Sequence, residues 1–314
     1  MHGHSHDHAG PHDHGPAGGH GHGHDATRAF ALAVAINLGY TAVEAGFGFL
    51  SQSLALLSDA LHNLGDVLGL ALAWGAARLA QRAPTARHTY GWRRATQLSP
   101  LANAVLLVGF SGALLGEALR RLGAPPPVPG TTVMWVAALG IVVNLGTAAL
   151  FHRDQAGDLN RRGAYLHLLS DAAVSLAAVL AGLGMWKLGW RWLDPALAAA
   201  VAVLVAWSGW GLLRASFRQA MDAVPEHLES AQVQSFLEQW PGVQAVHHLH
   251  IWPIGAAEIA LTAHVVRSDV AGHDAFLDEV ARALGSRFGI NHATLQVELG
   301  PGCAHDSDDR APHH

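Results

Sequence analysis

Apolar residues run through the first two thirds of the chain in six blocks, about Arg28–Leu50, Ser53–Ala80, Ala95–Arg120, Thr131–Phe151, Gly163–Leu188 and Pro195–Leu213. Each is close to the ~20 residues a helix needs to cross a hydrocarbon core, so the pattern predicts six membrane-spanning helices. Polar or turn-forming segments separate the blocks: Ser51–Ser53, the basic run Arg78–Arg94, the proline-rich turn Gly123–Gly130, the polar stretch His152–Arg162, and Trp190–Asp194. Trp186, Trp190 and Trp192 stand where an interfacial aromatic belt belongs. Beyond Met221 the texture becomes that of a soluble domain. Pro225–Gln239 predicts an amphipathic helix with proline in its first turn, and Val243–Ile254 and Glu258–Val266 predict two strands around a turn at Gly255. Gly272–Phe288 predicts a second helix, with Phe276, Leu277, Val280 and Leu284 on one face, and Ala293–Leu299 a last strand. The expected fold class is therefore a membrane all-α six-helix bundle followed by a cytoplasmic α+β domain of α-β-β-α-β, ferredoxin-like order. The expected boundaries are 1–26 for a disordered His-rich tail, 27–214 for the bundle, 215–300 for the C-terminal domain and 301–314 for a second disordered tail.

Composition strengthens the membrane reading. Half of the 314 residues are hydrophobic, only 14% are charged, and mean hydropathy is +0.21; soluble domains carry about 25% charged residues. The net charge of −5 is mild and no basic face suggests a nucleic-acid partner. Cys303 is the single cysteine, so the chain makes no internal disulfide. Arg28, Arg78, Arg82, Arg87, Arg93, Arg94, Arg153, Arg161, Arg162, Arg214 and Arg218 fall on one side of the six spans, against Arg120, Arg121, Lys187 and Arg191 on the other. The positive-inside rule then predicts both termini in the cytoplasm. Histidine is the anomaly, at 23 residues against 19 Lys plus Arg. Nine of these lie between Met1 and Asp25 among Gly, Ala, Pro and Asp, a composition that buries no core but can hold borderline metals loosely.

The strongest chemical signal lies inside the second and fifth spans. Each carries His-x-x-x-Asp: His62 with Asp66, and His167 with Asp171. Residues four apart share a helix face, roughly 5–6 Å apart at Cβ, so each pair aims an imidazole and a carboxylate at one spot. Two such helices side by side supply two nitrogens and two oxygens, a tetrahedral set suited to Zn²⁺, and two carboxylates balance its charge. Ionised side chains at that depth otherwise cost at least about 2.5–3.5 kcal/mol each. Asp59, one turn before His62, and Glu44 in the first span read as structural bonds between helices or as lining of an ion path; Glu117 reads as interfacial.

At these residues the chain resembles the cation diffusion facilitators, the family of mammalian zinc transporters and bacterial zinc exporters. The likeness runs from about Arg28 to Leu299 and rests on Gly48–His62, on Tyr90-Gly91-Trp92-Arg93, on the fifth-span pair and on His247–Trp252. It implies a homodimer in a lipid bilayer, in keeping with a bacterial cytoplasmic (inner) membrane, that exchanges cytoplasmic Zn²⁺ for protons. The resemblance also implies that His62, Asp66, His167 and Asp171 form the transport site, with zinc favoured over cadmium because His62 is not aspartate. In the C-terminal domain it implies a further, regulatory Zn²⁺ site drawn from His247, His250, His264, His292 and Glu298, and a role for that domain in dimerisation. Strand alternation puts His248 and His250 on one face and His247 on the other, so all three cannot reach one metal. His88, in the basic loop, matches no full ligand set, and Trp92 stands where some relatives carry a histidine; Cys303 lacks the partner cysteines that some relatives use.

Rival classes fit less well. Lys187 is the only lysine and sits in no phosphate-binding loop, which argues against an ATP-driven pump, and no His-Glu-x-x-His supports a metalloprotease. No enzymatic activity is expected. An exporter of Co²⁺, Ni²⁺ or Fe²⁺, or a membrane metal sensor without flux, uses the same ligands and stays open at this level.

Overall fold

A computed structural model describes residues 22–150, 159–256, 258–269 and 272–300, with side chains from residue 32 in the first helix and from residue 162 in the fifth. The expected tails therefore fall mostly outside the described residues. Six long helices come first: α1 His22–Ser51, α2 Leu54–Ala80, α3 Ala95–Gly123, α4 Gly130–Ala149, α5 Leu159–Leu188 and α6 Leu193–Ala220. Five of them are long and apolar enough to cross a membrane; α2 is not, because Ser58, Asp59, His62, Asn63 and Asp66 lower its hydropathy.

The breaks have local causes. Ser53 caps α2 by accepting a hydrogen bond from Leu56 N, and Pro125, Pro126 and Pro127 stop α3 because proline has no N–H for the preceding carbonyls. α1 starts at His22, ahead of the expected tail boundary, and α6 runs on past the expected Leu213 to Ala220. The second difference follows from Arg214 and Arg218: a helix can carry charge where it leaves the apolar layer.

The bundle pairs α3 with α6 and α4 with α5, while α2 touches α1, α3 and α6 and meets α5 over a short stretch. Small residues set the α4–α5 contact. A Cβ on Gly130 would fall 2.5 Å from the carbonyl oxygen of Gly182, and one on Gly182 would fall 2.7 Å from Met134 N, so the backbones meet directly.

At the end of the bundle where α3 begins, the C-terminal domain docks. Arg93 pairs with Glu258, Arg94 Nη2 reaches Asp222 Oδ1 at 2.8 Å, and Ala256 N donates to Thr96 Oγ1 at 3.1 Å. We call this the domain end and the opposite one the distal end. The domain contains α7 Ser230–Glu238, β1 Val243–Gly255, β2 Glu258–Arg267, α8 His273–Phe288 and β3 Ile290–Leu299, the order read from the sequence. The sheet runs β1-β2-β3, antiparallel between β1 and β2 and parallel between β2 and β3. Val233, Leu237, Leu261, Val265, Val280 and Leu284 form its core. The expected helix from Pro225 is shorter than predicted: Pro225–Leu228 is a turn, from which Val224 and Leu228 pack on the core, and the helix starts only after the extended Glu229.

Candidate metal centre

α2 and α5 bring the four intramembrane side chains together. His62 Nδ1 lies 3.9 Å from Asp66 Oδ2 and His62 Nε2 lies 3.8 Å from Asp171 Oδ1. His167 Nε2 lies 3.2 Å from Asp66 Oδ2 and 3.5 Å from Asp171 Oδ2. The imidazoles meet edge to face with centroids 6.0 Å apart. Bonds near 2 Å to a tetrahedral Zn²⁺ space neighbouring donors about 3.3 Å apart. These contacts use both ring nitrogens of His62 and both oxygens of Asp171, so the four groups line one space, and side-chain rotation would be needed to turn one donor from each to a single ion. Each carboxylate faces both imidazoles, one on its own helix and one on the other.

The surroundings of this set differ along the bundle. A cavity of about 140 Å³ adjoins it, lined by Asn37 of α1, Asn63 and Asp66 of α2, and His167 and Asp171 of α5, and its remaining walls continue toward the domain end. Asn37 and Asn63 were not singled out in the sequence; an amide inside an otherwise apolar span was the available signal. Toward the distal end, Leu56, Val128, Val133, Val136 and Met185 form a buried cluster. Asp194, in the first turn of α6, locks this end. Its carboxylate accepts from Ser53 Oγ at 2.5 Å, Leu54 N at 2.9 Å and Ala55 N at 3.3 Å, and so caps α2 from another helix. Glu117 pairs with Arg120 and Arg121 at the distal end of α3. Glu44 and Asp59 are buried.

The second candidate set lies in the C-terminal domain. Glu298 Oε2 is 3.1 Å from His247 Nε2 and Glu298 Oε1 is 2.8 Å from His264 Nδ1, so these three can offer one donor each to a single ion. His250 and His292 do not join them. His250 is exposed and pairs with Thr262, two positions along β2 from the partner of His247. His292 turns instead to Glu258, 3.4 Å away, and to the ring of Tyr90. Strand alternation breaks down here. Between His247 and His250 the ladder advances three residues on β1 against two on β2, a bulge with His248 at φ +50°. The extra residue turns both His247 and His248 to His264, at centroid distances of 5.2 and 4.9 Å. His88 stacks on Trp92 at 4.4 Å and belongs to no ligand cluster among the described residues. Cys303 lies outside them.

Comparison with known proteins decides the family. The cation efflux transmembrane domain matches residues 30–220, and the cation efflux protein cytoplasmic domain matches residues 225–299. The chain belongs to the cation diffusion facilitator family. It is thus a multi-pass membrane protein of a transporter family. Zinc transporter ZitB of Escherichia coli is 38% identical over 85% of this chain and 87% of its own length. The cadmium, cobalt and zinc/H(+)-K(+) antiporter of Bacillus subtilis is 36% identical, covering 86% and 88%. The metal cation efflux system protein CzcD of Cupriavidus metallidurans is 34% identical over 85% of each chain. A solved metal-bound C-terminal domain of the CzcD transporter is 36% identical and aligns over 23% of this chain and all of its own, with a TM-score of 0.22.

Proposed function

We propose that this facilitator exports Zn²⁺ from the cytoplasm in exchange for protons, through a site made of His62, Asp66, His167 and Asp171. The observation that carries this reading is the convergence of two imidazoles and two carboxylates, each carboxylate 3.2–3.9 Å from both imidazoles, beside a cavity whose walls continue toward the domain end. Two carboxylates cancel the charge of one divalent ion, so the loaded site places no net charge in the low-dielectric layer. Imidazole binds metal in its neutral form and ordinarily titrates near 6.5, so protons and zinc compete for the same nitrogens. A site that faces first one side and then the other exchanges one for the other, by rocking of helices around it. The arginine distribution supports a domain end, with both termini, in the cytoplasm of a bacterial inner membrane, where the open cavity would admit cytoplasmic zinc. The names of the relatives support zinc and antiport.

In the C-terminal domain, His247, His264 and Glu298 would hold a second Zn²⁺, leaving further positions to water or another side chain. Such an ion would pin β1, β2 and β3 to one another and so report cytoplasmic metal to the bundle. The family resemblance supports a homodimer joined through this domain. Proteoliposomes test the transport reading: the purified protein should accumulate zinc when a pH gradient is imposed and lose that uptake on Asp171→Asn. A metal panel run on the same vesicles separates zinc from cobalt, nickel and iron(II), and binding without uptake would leave a sensor.

A further inference from the structure

One turn distal to the four ligands the bundle contains a second polar layer. Asp59 precedes His62 by three residues on α2, and Ser175 follows Asp171 by four on α5, offsets of about 4.5 and 6 Å along the helix axes. α2 runs from the distal end and α5 toward it, so both residues lie on the distal side. Glu44 of α1 joins them. It is fully buried, Asp59 is 3% exposed and Ser175 is fully buried. The carboxyls of Glu44 and Asp59 come within hydrogen-bonding reach of each other. Glu44 Oε1 accepts from the Tyr40 hydroxyl at 2.9 Å, but Glu44 Oε2, Asp59 Oδ1, Thr41 Oγ1 and Ser175 Oγ have no hydrogen-bond partner. Ser175 points into the same space: a Cβ on Gly140 would lie 2.3 Å from the Tyr40 hydroxyl and 3.0 Å from Ser175 Oγ.

Tyr40 and Asn63 reach Glu44 alone, so the facing Asp59 carboxyl meets only another carboxyl, a poor way to hold helices together. Buried polar atoms are nearly always paired, and orphaned ones cost about 1–3 kcal/mol each. What this arrangement suits is a cation between the oxygens. We infer that Glu44 and Asp59, with Tyr40 and Ser175 beside them, form a second metal-cation station on the distal side of the transport set, which the ion enters on its way out. The inference rests on the exporter reading. The station offers two carboxylates and hydroxyls but no nitrogen, and zinc favours nitrogen donors, so it binds the ion less tightly than the four-ligand set. Conduction needs that ordering, because an ion must be able to leave as well as enter. The station now lies within the closed part of the bundle, and the distal opening that releases the ion would hydrate it.

Glu44→Gln and Asp59→Asn test the inference. Each amide supplies the donor the facing carboxyl lacks, so a merely structural pair should tolerate or welcome the change; thermal unfolding in detergent checks that each variant folds. Zinc affinity measured by calorimetry on full-length protein should stay within about 3-fold of wild type, whereas zinc uptake driven by a pH gradient should fall at least about 10-fold. Zn²⁺/Zn²⁺ exchange without a gradient should fall as far. Unchanged uptake would overturn the station. So would lost net uptake with intact exchange, since the pair would then handle protons alone, and so would an affinity loss that parallels the flux loss. Wild-type vesicles that take up no zinc would instead sink the exporter reading, and the station with it.

Discussion

The two ligand sets in this molecule are built on different backbones, and the difference governs what each can do. In the bundle, α2 and α5 each present a His and an Asp four residues apart, so two rigid rods carry all four groups. Sliding or tilting one rod against the other changes every cross-helix distance together, and α2 and α5 touch only over a short stretch around the site. Such a site can load and unload by helix motion. In the C-terminal domain the three groups come from three hydrogen-bonded strands with a shared core, and the ladder fixes their spacing. That set can hold an ion but has no comparable way to change its spacing. On the proposed reading, the first would serve passage and the second sensing.

Asp66→Asn and Asp171→Asn, each made alone, break this contrast at its strongest point. Either leaves one carboxylate to balance a divalent ion. Loss of a group that merely orients a ligand costs about 10–100-fold, and loss of a ligand costs more, so zinc uptake by proteoliposomes should fall at least about 100-fold. Uptake within a few-fold of wild type would mean that the ion travels elsewhere. His62→Asp comes next. It swaps an imidazole for a third carboxylate that can bind through both oxygens, which suits the larger cadmium ion. The ratio of zinc to cadmium uptake should drop about 10-fold, with cadmium flux retained.

The same contrast explains what could be read in advance. Helical period placed His62 with Asp66 and His167 with Asp171 directly, because four residues return a helix to the same face whatever surrounds it. The strand period failed at His248: alternation assumes an unbroken ladder, and the bulge there inserts one residue. Nothing in the local His-His-Leu-His pattern announces a left-handed histidine. His292 was drawn off by Glu258, a partner 34 positions away in sequence, and the Asp194 cap on α2 spans about 140 residues. Contacts set by docking leave no periodic trace. The hydropathy pattern did find α2 as a helix of membrane length, and two of the residues that make it less apolar than its neighbours, His62 and Asp66, are the ones that meet α5.

Glu298→Gln sharpens the comparison from the weaker side. Glu298 is the carboxylate that contacts both His247 and His264, and glutamine keeps its shape while removing its charge. Full-length protein should bind one zinc fewer per chain by calorimetry, yet uptake should fall only about 5-fold, the scale of coupling between separate sites. A loss equal to that of Asp66→Asn would show that the domain's ion takes part in passage and not in sensing.

The smallest effect concerns the bulge itself. His248 has φ +50°, a conformation that costs a side chain with a Cβ roughly 1–2 kcal/mol and glycine almost nothing. Its ring sits 5.2 Å from that of His247 and 4.9 Å from that of His264, beside the three-group set but outside it. If the bulge serves to turn His247 toward Glu298, His248→Gly should preserve it, because glycine accepts the same backbone. Denaturant unfolding of the C-terminal domain, followed in the full-length protein, should then shift toward higher stability by about 1 kcal/mol at most, offset in part by the extra freedom of glycine in the unfolded chain. Zinc stoichiometry should not change. If one zinc is lost instead, His248 is itself a ligand, and the bulge exists to bring two adjacent histidines from one strand to the same ion, which regular alternation forbids.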